Sequence, residues 1–363
     1  MRVLVVNAGS TSLKLRFLDA HDIVLADEEL PAEQDGFDED AIARFVSGLD
    51  GVEAVGHRVV HGGAKLTNAA LIDEPLEAYL RSLVDLAPLH QPPALDGIDL
   101  ARRLLPAVPA VACFDTAFHA SLPAAAATYA IPPEWRDRHN LRRYGFHGLS
   151  HAYASRRAAE LLGRAAERLR MVTCHLGAGA SLAAVANGRS VDTTMGFTPL
   201  EGLVMATRPG DVDPGLLLWL ERHGGLTEPE LSEALEHRAG LKALAGTGDM
   251  REILARLSGG DGAARLAFDV YVHRLRAGVA AMAAAMAGLD ALVFTAGVGE
   301  NSHEVRAAAA AGLSFLGVAV DQALNASAAG DLDITAGDAA VRTLVVRARE
   351  DLEIARQARE MLA

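Results

Sequence analysis

The chain is predicted to be an α/β protein made of two related domains, and three observations predict it. Residues 3–6, 170–175 and 291–295 are apolar runs with little alternation, the pattern of strands buried on both faces. Each run ends in a turn of small residues, at 7–12, 176–181 and 296–301, and after the first two the chain returns as a second strand. The length, 363 residues, is more than one core usually serves. A repeated unit of buried strand, small-residue turn and returning strand implies a duplicated fold.

The first unit shows the pattern in full. After 3–6 come Asn7, Gly9, Ser10, Thr11 and Ser12; then Leu13, Leu15 and Phe17 alternate with Lys14 and Arg16, which is strand patterning. The tip is either an ordinary hairpin turn or a phosphate cradle, since Gly9 admits close approach and the hydroxyls and Lys14 can donate. A third strand is expected at 23–30, a solvated acidic loop at 35–40 and a helix at 41–49. The next strand carries Arg58, a surface charge or an anion clamp, into the turn at 61–63. Helices are expected at 76–86 and 94–104, separated by a proline-stiffened turn that presents His90. The strand at 109–114 ends on Asp115, either a ligand-contacting carboxylate at a strand C-terminus or a helix N-cap.

Residues 121–140 read as loop. Arg142 and Arg143 form a cationic pair beside His147, which raises the case for an anion site, and a helix follows at 152–162. Asn187-Gly188 marks a tight hairpin. Loops at 196–202 and 206–215, dense in glycine, proline and charge, suit binding or an interface. Helices follow at 216–221, 228–239, 249–257 and 263–289, and the alanines of 277–289 imply close packing within the fold or in a dimer. A helix opening at Ser302 would put Gly297 to Asn301 at its N-terminus, a natural phosphate site. The last strand is expected at 341–346, and the last helix runs from about 349 to Leu362.

Composition narrows the function. With 50% hydrophobic and 22% charged residues and a formal net charge of −13, the chain is globular and unsuited to nucleic acid or an anionic membrane. The uncharged stretch 277–289 is shorter than the roughly 20 residues a bilayer needs. Cys113 and Cys174 lie in apolar runs as free thiols, and with no leader recognised the expected location is cytoplasmic. There is no GxxxxGK[ST], no zinc spacing, and no third glycine after Gly297 and Gly299 for a dinucleotide fingerprint.

Taken together, NAGSTSLK at 7–14, HRVVHGG at 57–63, FDTAFH at 114–119, YGFHGLSH at 144–151, HLGAGAS at 175–181, MGFTPLEG at 195–202, TRPGDVDPG at 207–215 and TAGVGEN at 295–301 resemble the acetate kinase family from end to end. The resemblance implies the actin, sugar-kinase and chaperone-ATPase superfold, with residues 1–119 and 351–363 as one domain, 120–350 as the other, and the active site in the cleft between them. It implies Mg²⁺, with Mn²⁺ as the alternative, held by Asn7 and Glu350, and ATP or ADP as co-substrate. Asp115, His147 and Arg208 would be catalytic. Arg58, Val60, Leu89, His90, Phe146 and Pro199 would receive the carboxylate substrate. Ser10, Ser12, Lys14, His175, Leu176, Gly177, Ala178, Gly179, Asp249, Met250, Arg251, Gly297, Val298, Gly299, Glu300 and Asn301 would contact the nucleotide. A homodimer is implied as well.

The implied reaction is reversible phosphoryl transfer between ATP and acetate. An acetate oxygen is ionised at neutral pH, so Asp115 is expected to position an arginine or metal rather than to abstract a proton. The alternatives are propionate or butyrate as acceptor, a sugar kinase of the same superfold, or a nucleotide-binding module without turnover. Three positions depart from the family pattern: Ala178 replaces an asparagine, Pro209 replaces a small residue, and the segment before Arg58 is short.

Overall fold

The computed structural model describes residues 1–9, 12–31, 37–88 and 90–363. The chain forms two compact units, Met1–Ala120 with Phe146–Tyr153 and Arg349–Ala363, and Ser121–Gly145 with Ala154–Ala348.

In the first unit the strands are β1 (Val3–Ala8), β2 (Ser12–Leu18), β3 (Val24–Pro31), β4 (Ala54–Val59), β5 (Ala70–Leu71) and β6 (Ala110–Phe114), in the order β3-β2-β1-β4-β6-β5. β1 pairs antiparallel with β2 and parallel with β4, and β4 pairs parallel with β6. β1 is apolar on both faces because both are covered. Leu4, Val6, Leu13, Leu15 and Phe17 pack with Ile42, Val46 and Leu100 of two helices, Glu39–Ser47 and Gln91–Leu104. Val3, Val5, Val111 and Cys113 pack against Ile354, Ala355 and Ala358 of the helix Glu350–Leu362. Each such aliphatic side chain contributes about 1.5–3 kcal/mol. Gly56 in β4 is what lets that helix approach, since a Cβ there would lie 2.6 Å from Ile354 Cγ2.

The second unit repeats this topology. Its strands β7 (Arg170–Leu176), β8 (Ala180–Ala186), β9 (Arg189–Thr193), β10 (Ala291–Thr295), β11 (Leu332–Asp333) and β12 (Arg342–Val345) are ordered β11-β12-β10-β7-β8-β9. An antiparallel β7-β8-β9 meander, two parallel neighbours and a two-residue antiparallel edge strand match the first sheet strand for strand. Asn187 and Gly188 both have positive φ in the turn before β9, as the hairpin signal requires. The helix Gly262–Ala285 packs on β7, β8 and the helices Gly240–Ala245, Met250–Ser258 and His303–Ala311, burying Ala264, Ala267 and Ala283, whereas Ala277, Ala281, Ala284 and Ala285 are exposed.

Some elements differ from the expected ones. The expected loop 121–140 contains helices Ala124–Ala127 and Pro133–His139, and the helix expected at 152 begins at Gly148. Gly148 serves a close approach there: its N–H donates to Asp115 O at 2.9 Å, and a Cβ would lie 2.1 Å from that oxygen. Residues 296–301 are themselves helical, and Ser302 caps a second helix, so Gly297 to Asn301 is not a loop leading into one. Among the described residues, no helix is long and apolar enough to cross a membrane.

Three buried imidazoles in the first unit make stability pH-dependent. Burial pushes His57 down to about 3, and His61 and His119 to about 4. The unfolded chain takes up these protons near pH 6.5, so their contribution is complete above that pH and is lost as pH falls from 6.5 toward 3. At pH 5 each is expected to cost about 2 kcal/mol, at roughly 1.4 kcal/mol per pKa unit. Urea midpoints at pH 7 and 5 test this. His57→Leu should remove about a third of the difference, and an unchanged pH dependence in that variant would count against it.

Candidate active site

In the first unit the sheet brings together four residues that lie far apart in the chain. Arg58 leaves the C-terminal end of β4 and Asp115 follows β6, so parallel pairing of these strands sets them side by side. Arg58 Nε and Nη2 both donate to Asp115 Oδ2, at 3.0 and 2.6 Å. Arg58 Nη1 donates to Asn7 Oδ1 at 3.3 Å, and Asn7 Nδ2 donates to Glu350 Oε2 at 2.9 Å. Burial lowers the pKa of Arg58, but Asp115 and Glu350 more than reverse this and hold it above the ordinary value. Burial raises Asp115, opposed by Arg58. Asp115 therefore does not cap the turn Ala117–His119, which has no side-chain cap.

The turn after β4 is held by residues that the sequence reading did not single out. Gln91 is fully buried, accepting from His61 N–H and donating to His61 O, while Thr116 Oγ1 accepts from Gly62 N–H. Their signal was local: Thr116 adjoins Asp115, and Gln91 opens the helix after His90. Val60 and Phe146 are buried, and the Phe146 ring meets His61 edge-on at 5.6 Å. His147 has φ 56°, a left-handed conformation held by Gly148 N–H on Asp115 O and by His119 Nε2 against Phe146 O at 3.1 Å. His90 ends the turn before Gln91, its N–H on Ala87 O. Ser12 and Lys14 both face Glu29 of β3, at 3.0 and 3.5 Å, so neither points its donor group into this cluster. Ser10 and Leu89 lie outside the described residues.

In the second unit a cavity of about 810 Å³ is lined by Gly177, Ala178, Asp249, Met250, Arg251, Gly297, Val298 and Asn301, all expected, and also by Gly248, Leu254, Ala255, Ser258, Ser302, His303 and Glu304. Arg251, Leu254, Ala255 and Ser258 are spaced i, i+3, i+4 and i+7, one face of the Met250–Ser258 helix, and that spacing was the overlooked signal. Asp249 also caps this helix, accepting from Arg251 N–H at 2.9 Å. His175, Leu176, Gly179, Gly299 and Glu300 are not among the lining residues. Gly179 O accepts from Gly177 N–H within the turn, and Glu300 Oε1 accepts from Ala348 N–H at 2.8 Å. Ala178 O accepts from Ala206 N–H, tying this turn to the loop of Arg208.

Arg208 Nη1 donates to Pro199 O at 2.9 Å; burial lowers its pKa, and among the described residues no carboxylate lies within ion-pair distance. It is a half-buried cation with one neutral partner, as an anion-binding group requires. Arg143 is different: its guanidinium is bonded to Glu201, whereas Arg142 Nε donates to a neutral carbonyl, Arg143 O, at 3.3 Å.

A family model described as the acetokinase family matches residues 38–356. The chain belongs to the acetokinase family. The acetate kinase of Synechococcus sp. is 51% identical over 312 residues, covering 86% of this chain and 77% of that one. The crystal structure of Porphyromonas gingivalis acetate kinase superposes with a TM-score of 0.91 at 36% identity, covering 100% of both chains. A propionate kinase from Francisella tularensis gives 0.93 at 33% identity over 99% of each. The two-unit α/β fold is thus that of these solved kinases, and it resembles the actin and sugar-kinase superfamily.

Acetokinases work with a divalent cation. Among the described residues no three acidic, histidine or cysteine side chains cluster as a metal cage. Mg²⁺ rarely uses one: it keeps several waters and takes one or two carboxylates together with substrate phosphates. The Asn7 amide and the Glu350 carboxylate, in contact beside Asp115, fit that donor set. Ala178 is exposed and lines the cavity. Ala178→Asn is expected to lower the ATP KM about two- to fivefold through one added hydrogen bond to a phosphate, with kcat little changed. Steady-state kinetics check this, and an unchanged KM would count against a phosphate contact at this position.

Proposed function

We propose that this acetokinase transfers the γ-phosphoryl group of ATP to acetate, reversibly, by direct in-line displacement. The observation that carries the reading is the Arg58–Asp115–Asn7–Glu350 cluster, assembled from four distant segments around one oriented guanidinium. Asp115 fixes Arg58, and Arg58 holds the acetate carboxylate with the methyl group toward Val60 and Phe146. One acetate oxygen attacks the γ-phosphorus as the bond to the β,γ-bridging oxygen breaks, leaving ADP. Arg208 and His147 spread the charge of the transferring group. The nucleotide lies in the cavity along Gly177, Ala178, the Met250–Ser258 helix and Gly297 to Asn301, with the acceptor half-site in the first unit. Asn7 and Glu350 would hold Mg²⁺, which when bound would neutralise phosphate charge. Lys14 and Ser12 reach the phosphates only by leaving Glu29.

ADP release from Mg·ATP with and without acetate, with hydroxylamine trapping, tests the reading. Acetate-dependent hydroxamate is expected, and nucleotide binding without hydroxamate from any short carboxylate would overturn it. Propionate is the second reading, since a propionate kinase at 33% identity shares the fold along the whole chain. One methylene is worth about 1–3 kcal/mol in such a pocket, so kcat/KM across acetate, propionate and butyrate separates them. We propose a homodimer as well; light scattering giving a monomer mass would overturn that.

A further inference from the structure

Behind Pro199 lies a polar network that none of the roles above uses. Tyr129 Oη donates to Glu201 Oε2 at 2.5 Å and accepts from Phe197 N–H at 2.9 Å. Arg143 donates to the Glu201 carboxylate and, through Nη1, to Thr194 O at 3.1 Å, with its guanidinium 5.5 Å from the Tyr129 ring centroid. Tyr144 and Gly145 N–H both reach Gly196 O, at 3.0 and 3.2 Å. Gly196 is required by this arrangement, because a Cβ there would lie 1.7 Å from Glu201 Oε2 and 2.2 Å from Tyr129 Oη. The loop is therefore tied at Thr194, Gly196, Phe197 and Glu201, and between the last two ties Pro199 offers its carbonyl to Arg208 Nη1. One residue on, Gly202 N–H donates to Asp211 Oδ1 at 2.8 Å and Gly202 O accepts Asp211 N–H at 3.0 Å, closing the loop that carries Arg208.

We infer that Tyr129, Glu201 and Arg143 form one positioning unit that sets the Pro199 carbonyl, and through it the Arg208 guanidinium, for phosphoryl transfer. A half-buried ion pair with a shared phenol is a poor way to gain stability, because desolvation offsets most of the Coulomb attraction. It is a good way to fix a loop in one geometry. Arg208 has few other restraints on its head group, and a misplacement of about 1 Å at a group that meets the transition state can cost about a hundredfold in rate. Tyr129 is the cleanest member to probe, since its hydroxyl makes two bonds in the network and its ring fills space that phenylalanine would keep.

The inference rests on the proposed phosphotransfer, and the test separates the two. Tyr129→Phe is expected to lower kcat about tenfold with the ATP KM within about twofold of wild type. In an Arg208→Ala background the same substitution is expected to change kcat by less than about twofold, because the group it positions is gone. A wild-type kcat in Tyr129→Phe, or an equal tenfold loss in both backgrounds, would overturn the inference and leave a loop anchor only. Should Tyr129→Phe fail to fold, Glu201→Gln runs the same cycle, keeping an acceptor for the phenol while removing the charge that Arg143 meets. A wild-type protein that makes no hydroxamate overturns the functional reading, and this inference with it; an active wild type with uncoupled variants overturns the inference alone.

Discussion

Arg208→Ala is expected to lower kcat by about a thousandfold or more while leaving the fold within about 1 kcal/mol of wild type. The first figure follows from what an arginine on a transferring phosphoryl group is worth, about 10³–10⁵ in kcat in related chemistry. The second follows from its surroundings: its one polar partner is the Pro199 carbonyl, and burial already disfavours its charge. Losing that bond costs about 1 kcal/mol, partly returned by relieved desolvation. Arg208→Lys should recover part of the rate, since a point charge remains but the planar fork does not. Hydroxamate assays and thermal unfolding, run side by side, check both halves. A large loss of stability would mean that Arg208 holds the loop rather than the reacting group.

Arg58→Ala is expected to behave in the opposite way, costing stability and activity together. Asp115 is 1% exposed, and both of its bonds from Arg58 fall on one oxygen. Removing the guanidinium leaves a buried carboxylate without its counter-charge, which costs roughly 3–5 kcal/mol. Asp115→Asn should be milder, because an amide oxygen still accepts from Arg58, but the looser guanidinium should raise the acetate KM. Denaturant midpoints with acetate-dependent turnover test this pair. An Arg58→Ala protein as stable as wild type would show that the ion pair is not the anchor its burial implies.

The contrast between the two arginines could not be read from the sequence. Both stand in motifs with proline or glycine nearby, and both look like clamps. What separates them is the partner. Arg58 meets a carboxylate 57 residues away because parallel strands end side by side, whereas Arg208 meets a carbonyl on a neighbouring loop. Arg143 shows the same dependence, since its counter-charge, Glu201, is 58 residues on. Lys14 is the converse case, since its Glu29 partner follows from the register of β2 with β3.

By itself the sequence determined the longer strands, the duplication of their unit and the family, but not the two-residue edge strands β5 and β11. Unbroken apolar runs followed by small-residue turns demand buried strands, and buried strands leave few topologies. Short elements escaped it. The helical turn at 296–301 and the helix start at Gly148 depend on contacts made across the fold, which outweigh the local cost of glycine. The tertiary structure alone decided which polar groups are spent on one another and which are left for ligands. That division depends on distances between residues far apart in the chain, and a side chain's chemistry does not announce who its neighbour will be.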